Sequence, residues 1–333
     1  MKKMKKYALL LMTTIIVLAL AACGSKNNSS SDTKDSNAAE GKTYKVGITQ
    51  IVEHPSLNQA TKGFKAALKD AGLKVEYQTE IAQGDQSVNT TAANNLVGSG
   101  VDLIFANSTP SAQAVAAATS DIPIVFTSVT DAVGAELVKS MEKPGGNVTG
   151  TVDTHPDAIP NTVKFLSEQL GAKKVGMVFN SGEQNSRVQV DIAKKEAKKA
   201  GITIVEASAS TSAEVKQATE SLVGKVDAFY IITDNTVVSA LESVLDVAND
   251  KKIPVMVGEL DSVARGGLGA YGFNYYDIGY EAGQKAVEIL KNGKKPADIP
   301  VAYPTKLKLE INKTTADKIG VDVKDEWKAE VVK

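Results

Sequence analysis

The second half of this chain restates landmarks of the first half in the same order. Lys45-Val46-Gly47-Ile48 returns as Lys174-Val175-Gly176-Met177, and Ala71-Gly72-Leu73 as Ala200-Gly201-Ile202, each 129 residues later. Val101-Asp102 returns as Val226-Asp227 after 125 residues, and Ile122-Pro123-Ile124-Val125 as Ile253-Pro254-Val255-Met256 after 131. An ordered recurrence of this kind implies two lobes of one topology. At 333 residues each lobe has enough chain to bury a core of its own.

Within each repeat, short β-rich runs alternate with helical periods, which predicts a parallel α/β sheet. Tyr44–Thr49 reads as a strand. From about Ser56 the apolar residues Leu57, Ala60, Phe64, Leu68 and Ala71 recur at helical spacing, Gly72 ends the helix, and Leu73–Tyr77 is the next strand. The fold class is therefore α/β, with two similar doubly wound parallel-sheet lobes. Pro144-Gly145-Gly146-Asn147 reads as a turn where the chain first leaves lobe one. After Gly269 a strand at Ala270–Phe273, a helix from Asp277 to Leu290 and an extended run from Pro300 to Leu309 exceed one repeat. Three crossings are expected, near 150, 270 and 303, forming a three-strand hinge. Lobe one would then be 43–150 plus 270–302, and lobe two 151–269 plus 303–333.

The first 22 residues have a lysine-rich start, an apolar run from Tyr7 to Ala22 too short for a stable span, and small residues before Cys23. This resembles a bacterial lipobox, with residues 1–22 a lipoprotein signal peptide and Cys23 the acylated N-terminus. Two acyl chains suffice for stable anchoring. Residues 23–42 carry almost no apolar side chain and read as a disordered tether. Removing the four lysines of the signal leaves 34 basic against 39 acidic groups.

What is missing narrows the function. Cys23 is the only cysteine, so no intramolecular disulfide and no cysteine-rich metal site can form. Near-neutral charge argues against a nucleic-acid partner. Arg187 and Arg265 are the only arginines, so guanidinium capture of an anion is available at two places at most. No nucleophile elbow, His-Glu-x-x-His, P-loop or Gly-x-Gly-x-x-Gly occurs, and His54 and His155, each followed by proline, read as turn histidines. Neither catalysis, a cofactor nor a metal is expected.

In open α/β sheets ligands bind beyond the carboxyl ends of the strands. Those ends offer Gln50 and Glu53, then Asn107, Ser108 and Thr109, then Ser128 in lobe one. In lobe two they offer Asn185, then Asp234 and Asn235, then Glu259. Such residues also serve as helix N-caps, so each has a structural reading beside the functional one. Ser108-Thr109-Pro110 sets hydroxyls beside free N–H groups at a helix start, which suits a carboxylate. Asp234, Asn235 and Glu259, with Glu53 opposite, suit an ammonium. The pair describes an amino acid zwitterion; a sugar or nucleoside binder, or a surface hydrolase using a cleft carboxylate, are the alternatives. Trp327 lies in the C-terminal tail, and Phe105, Phe126, Phe179 and Tyr230 read as core. Tyr271, Tyr275 and Tyr276 fall near the second crossing, where they would border the cleft.

Larger stretches carry a family likeness: Ile51-Val52-Glu53-His54-Pro55-Ser56-Leu57, Pro144-Gly145-Gly146-Asn147-Val148-Thr149-Gly150, Glu183-Gln184-Asn185-Ser186 and Thr233-Asp234-Asn235-Thr236-Val237-Val238-Ser239-Ala240. From Tyr44 to Val321 the chain resembles solute-binding lipoproteins of ABC importers, and more narrowly the family that includes tryptophan/tyrosine-binding lipoproteins. Where that family has proline after the positions of Asn180 and Asp131, this chain has Ser181 and Ala132. The resemblance implies a type I periplasmic-binding fold and hinge closure on an aromatic amino acid, tryptophan first. It also implies delivery to a membrane ABC permease by an extracytoplasmic, lipid-anchored monomer.

Overall fold

The computed structural model describes residues 42–333. The expected signal segment, Cys23 and the tether up to residue 41 lie outside the described residues. The first half of the chain runs β1 (Thr43–Gln50), α1 (Pro55–Asp70), β2 (Lys74–Ile81), α2 (Gln86–Gly98), β3 (Leu103–Asn107), α3 (Thr109–Ala118), β4 (Ile124–Val129) and β5 (Val148–Val152). Then follow α4 (Ala158–Glu168), β6 (Lys174–Phe179), α5 (Gln184–Ala200), β7 (Thr203–Ser208), α6 (Val215–Glu220), β8 (Ala228–Ile231), α7 (Asn235–Ser239) and α8 (Leu241–Asp250). The chain finishes with β9 (Val255–Val257), α9 (Leu260–Ala264), β10 (Gly269–Gly272), α10 (Tyr275–Asn292), β11 (Lys308–Asn312), α11 (Lys313–Ile319) and β12 (Glu330–Val332).

Two sheets result, ordered β2-β1-β3-β4-β5 and β12-β11-β10-β9-β8-β6-β7. The shared sub-order β2-β1-β3-β4 against β7-β6-β8-β9 is the sequence repeat in space. Every pair is parallel except β10 with β11, which is antiparallel. Strands β3, β4 and β5 are buried along their whole length, as parallel strands covered on both faces must be, whereas the edge strands β2 and β7 expose much of their length. Lobe one buries Leu96, Ile104 and Phe126 on one face of its sheet and Ile48, Phe64 and Leu103 on the other. Lobe two does the same with Met177 and Tyr230 against Phe229 and Val244. The four aromatics read as core are all buried.

Helix α10 returns to lobe one and lies along α1. Their approach is so close that a Cβ at Gly63 would overlap the Tyr276 carbonyl, and one at Gly279 the Ala60 carbonyl. Glycine is needed there for contact distance rather than for backbone freedom. Strand β10 pairs with β9 and β11, so residues 270–272 stand in the second sheet, and the second crossing falls at 273–274, after the boundary drawn at 270. The run from Pro300 is only partly strand: Ala302 makes a single bridge to Thr151, and regular pairing starts at Lys308. Trp327 packs edge-on against Phe165, ring centres 4.8 Å apart, and donates to Gln169 at 2.9 Å. Among the described residues no helix is long and apolar enough to cross a membrane.

Candidate functional site

Strand ends from both sheets converge on a narrow cavity of about 10 Å³. Lobe one contributes His54 and Leu57 from the β1–α1 turn, and Ser128 and Thr130 from the end of β4. Lobe two contributes Asn185, Thr233, Asn235 and Glu259 from three strand-to-helix turns. The first two crossings contribute Asp153 and Tyr275. Ser128 stands where the β4–β5 register shifts between Phe126 and Val129, and its φ is +56°. A bulge next to a site commonly re-aims a side chain, and a positive φ on serine is strain that its surroundings must hold.

Four lining side chains carry a buried polar atom without a protein partner: His54 Nδ1, Ser128 Oγ, Asn185 Oδ1 and Glu259 Oε2. Each would cost ~1–3 kcal/mol if left unsatisfied, so the group calls for a polar occupant. The rest of the wall is tied down. Glu183, itself buried, accepts from Asn235 Nδ2 at 2.6 Å and Asn185 Nδ2 at 3.1 Å, which leaves Asn185 Oδ1 as a free acceptor. Tyr275 donates to Asp153 Oδ2 at 2.8 Å, and Thr130 donates to Oδ1 at 3.3 Å. Gln189 of α5 donates to Thr130 at 3.3 Å, linking the lobes, and accepts from the Thr233 hydroxyl at 3.0 Å.

The electrostatics are acidic. Burial pushes the Asp153 carboxyl up to about 6, against the Tyr275 and Thr130 hydrogen bonds and with the Glu259 charge adding to it. Burial likewise raises Glu259, whose Oε1 accepts from the Ser262 hydroxyl at 2.7 Å. Glu183 is raised by burial and by Asp234 beside it. His54 is driven down to about 3 by burial, with Arg265 adding to the effect, so its imidazole is neutral near pH 7. No lysine or arginine lines the cavity. Two carboxylates of raised pKa in a wall without cations favour an ammonium group.

Of the residues singled out in the sequence, Ser128, Asn185, Asn235 and Glu259 meet at this cavity. The others do not line it. Gln50 and Asn107 bond to each other at 3.0 Å and to Thr61. Ser108 and Thr109 are buried and accept from the backbone N–H of Ser111 and Thr130, both at 3.4 Å. Glu53 is exposed. Asp234 is fully buried and spent on structure: it accepts from Val237 N at 2.8 Å, Asn180 N at 2.7 Å and the Ser186 hydroxyl at 2.6 Å. The acidic side of the cleft thus rests on Asp153 and Glu259, in place of Asp234 and Glu53. His54, read as a turn histidine, is 7% exposed and lines the cavity. Asp153 was missed as well. The available signal for Asp153 was a carboxylate directly after the β-rich run Val148–Val152.

A two-lobed α/β frame with a polar cavity between the lobes defines the solute-binding class. Residues 45–332 match the family model for ABC transporter substrate binding proteins, and the chain belongs to that family. Its members bind substrates rather than transform them, so the chain is a binding protein, not an enzyme. It is 47% identical over 281 residues to a tyrosine-binding protein of Clostridioides difficile (strain R20291), covering 82% of this chain and 80% of that one. Its fold matches that of an ABC domain from Streptococcus pneumonia solved with L-Trp, at 33% identity and TM-score 0.82, over 87% of this chain and all of that one. It also matches a ligand-free, open substrate-binding protein with adhesive properties from Clostridium difficile, at 41% identity but TM-score 0.65, over 87% of this chain and 99% of that one. Sequence identity ranks the last two one way and shape ranks them the other. In shape the chain is thus nearer to the L-Trp-bound structure than to the ligand-free, open one.

Proposed function

We propose that this chain captures the zwitterion of an aromatic amino acid, tryptophan or tyrosine, between its lobes for uptake through an ABC permease. The observation that carries the reading is the set of four unpartnered polar atoms, drawn from both lobes, around one acidic cavity. Asp153, Glu259 and Asn185 Oδ1 accept the ammonium. Ser128 and the neutral His54 imidazole, the unpartnered groups of lobe one, donate to the carboxylate without any arginine. The three crossings act as the hinge between lobes 43–150 plus 270–302 and 151–269 plus 303–333, with the second crossing moved to 273–274. A tyrosine-binding relative and an L-Trp-bound one support the aromatic side chain. Acylation at Cys23 would hold the protein at the outer face of the membrane. Calorimetric titration of the full chain in detergent tests the reading. Tryptophan or tyrosine should bind, and ligand at 100 times Kd should add about 2.7 kcal/mol of stability. Binding of a sugar or nucleoside with no response to either amino acid would overturn it.

A further inference from the structure

Two side-chain amides line the cavity, those of Asn185 and Asn235, and one carboxylate that does not line it turns both. Glu183 precedes α5 and is buried, yet its side chain caps no helix N–H. Its Oε2 accepts from Asn235 Nδ2 at 2.6 Å and from Asn185 Nδ2 at 3.1 Å, and its Oε1 accepts from the Thr236 hydroxyl at 3.3 Å. Among the described residues no cation meets it. A buried carboxylate without a cation is costly, and here it neither caps nor touches the cavity. We infer that Glu183 is a positioning residue of the ligand site: it holds the Asn185 amide with its nitrogen inward and its carbonyl oxygen towards the ligand's ammonium. This rests on the proposed amino acid function and adds what fixes the polarity of its ammonium side.

An asparagine amide has two ends of nearly equal shape, one a donor and one an acceptor, and its neighbours decide which faces where. An ionised carboxylate only accepts, so both amide nitrogens turn towards Glu183. Asn185 Nδ2 also donates to Ser186 Oγ at 3.3 Å, and its Oδ1 is left at the cavity without a protein partner. Flipping this amide would set Oδ1 against Glu183 Oε2 and aim Nδ2 at the ammonium, replacing two attractive contacts by two repulsive ones. The carboxylate is held from behind as well. Asn180 Nδ2 donates to Thr236 Oγ1 at 2.9 Å, which directs the Thr236 hydroxyl proton to Glu183 Oε1. Burial and the adjacent Asp234 raise Glu183 to about 7. Its neutral form keeps an accepting carbonyl oxygen, so the positioning survives protonation, whereas a role as counter-charge to the ammonium would not.

Calorimetry on the full chain in detergent tests this with two probes, tryptophan and its desamino analogue indole-3-propionate, because only the first brings an ammonium. Glu183→Met removes the acceptor from both amides. Affinity for tryptophan should then fall roughly 10–100-fold, the order of a hydrogen bond to a charged group, while that for indole-3-propionate changes by less than about threefold. The preference for the ammonium-bearing probe collapses, whereas a merely structural loss would weaken both probes together. Glu183→Gln keeps an accepting oxygen for the two amides and should keep the preference within about threefold of wild type. An unchanged preference in Glu183→Met, or an equal loss for both probes, would overturn the positioning role. So would loss of the preference in Glu183→Gln, which would make Glu183 a counter-charge; this arm decides the matter if Glu183→Met does not fold. Failure of the wild-type chain to bind tryptophan or tyrosine would instead overturn the function on which the inference rests.

Discussion

Lowering the pH from 7 to 5 should weaken amino acid binding about tenfold, and Asp153 is the reason. Its carboxyl is raised to about 6 in the ligand-free protein because burial penalises the charge and Glu259 adds repulsion. Unfolded, it titrates near 3.9. The folded chain therefore binds more protons than the unfolded chain between those values. Stability from this group is complete below pH ~4 and is lost as pH rises through 6. A bound ammonium reverses the preference, because it stabilises the ionised form. Only the fraction of protein with Asp153 ionised is then ready to bind. That fraction is nearly complete at pH 7 and about one in eleven at pH 5, which costs ~1.4 kcal/mol of binding. Glu259, raised in the same direction, can only steepen the fall. His54, depressed to about 3, stays neutral across the window and takes no part. Calorimetry at pH 5, 6 and 7 in buffers of different ionisation heat measures both the affinity and the protons released. A flat affinity over this range, with no proton release at pH 5, would refute the assignment of Asp153 to the ammonium.

Asp153→Asn keeps the shape and deletes the charge. The ligand-free protein should melt higher at pH 7.5, by ~1–2 kcal/mol once residual water access is allowed for, with no gain at pH 4, and its affinity should lose its pH dependence. Glu259→Gln retains an acceptor for the Ser262 hydroxyl but loses the charge, so affinity should fall ~10–100-fold by titration while the melting temperature holds or rises. Asp234→Ala strips the cap of α7 and the anchor of Asn180. Urea denaturation should show a loss of ~2–4 kcal/mol, and an unchanged midpoint with lost binding would move Asp234 back to the ligand. Gly279→Ala should cost ~1–3 kcal/mol by forcing α10 off α1, read in the same assay.

The repeat in the sequence carried the two sheets because parallel βα units repeat their turn chemistry. Small polar residues such as Ser108, Asn180 and Asp234 follow the strands β3, β6 and β8, and α5, α10 and α11 stop at Gly201, Gly293 and Gly320 with a left-handed backbone. Spacing could not say which polar strand ends would face the ligand. Asp234 and Glu259 occupy equivalent places before α7 and α9, and both read as acids at a helix start. One bonds to its own helix N-terminus and to the β6–α5 turn, whereas the other leaves an oxygen free towards the cavity. That difference is one of side-chain direction, decided by packing. His54 shows the same limit: proline after it marks a turn, but it is buried and feels Arg265 and Asp261 of the opposing lobe, which no local pattern records.

Asp153 and Tyr275 raise a further point, because they lie at crossings rather than within either repeat. The first follows β5 and the second opens α10, and they bond to each other at 2.8 Å across 122 residues. In the proposed reading, a ligand ammonium held by Asp153 would contact the first crossing, one of the three proposed as the hinge. Thr130 extends the link, since it bonds to Asp153 and is met by Gln189 from lobe two. In the proposed reading, closing the lobes would bring Gln189 to Thr130, which bonds to Asp153, and Asp153 would carry the charge for the ligand. On the proposed function, binding and closing would share one carboxylate. Differential affinity for the closed form is the only means by which a ligand can shift such an equilibrium, and here it acts through a group that the repeat leaves unpaired.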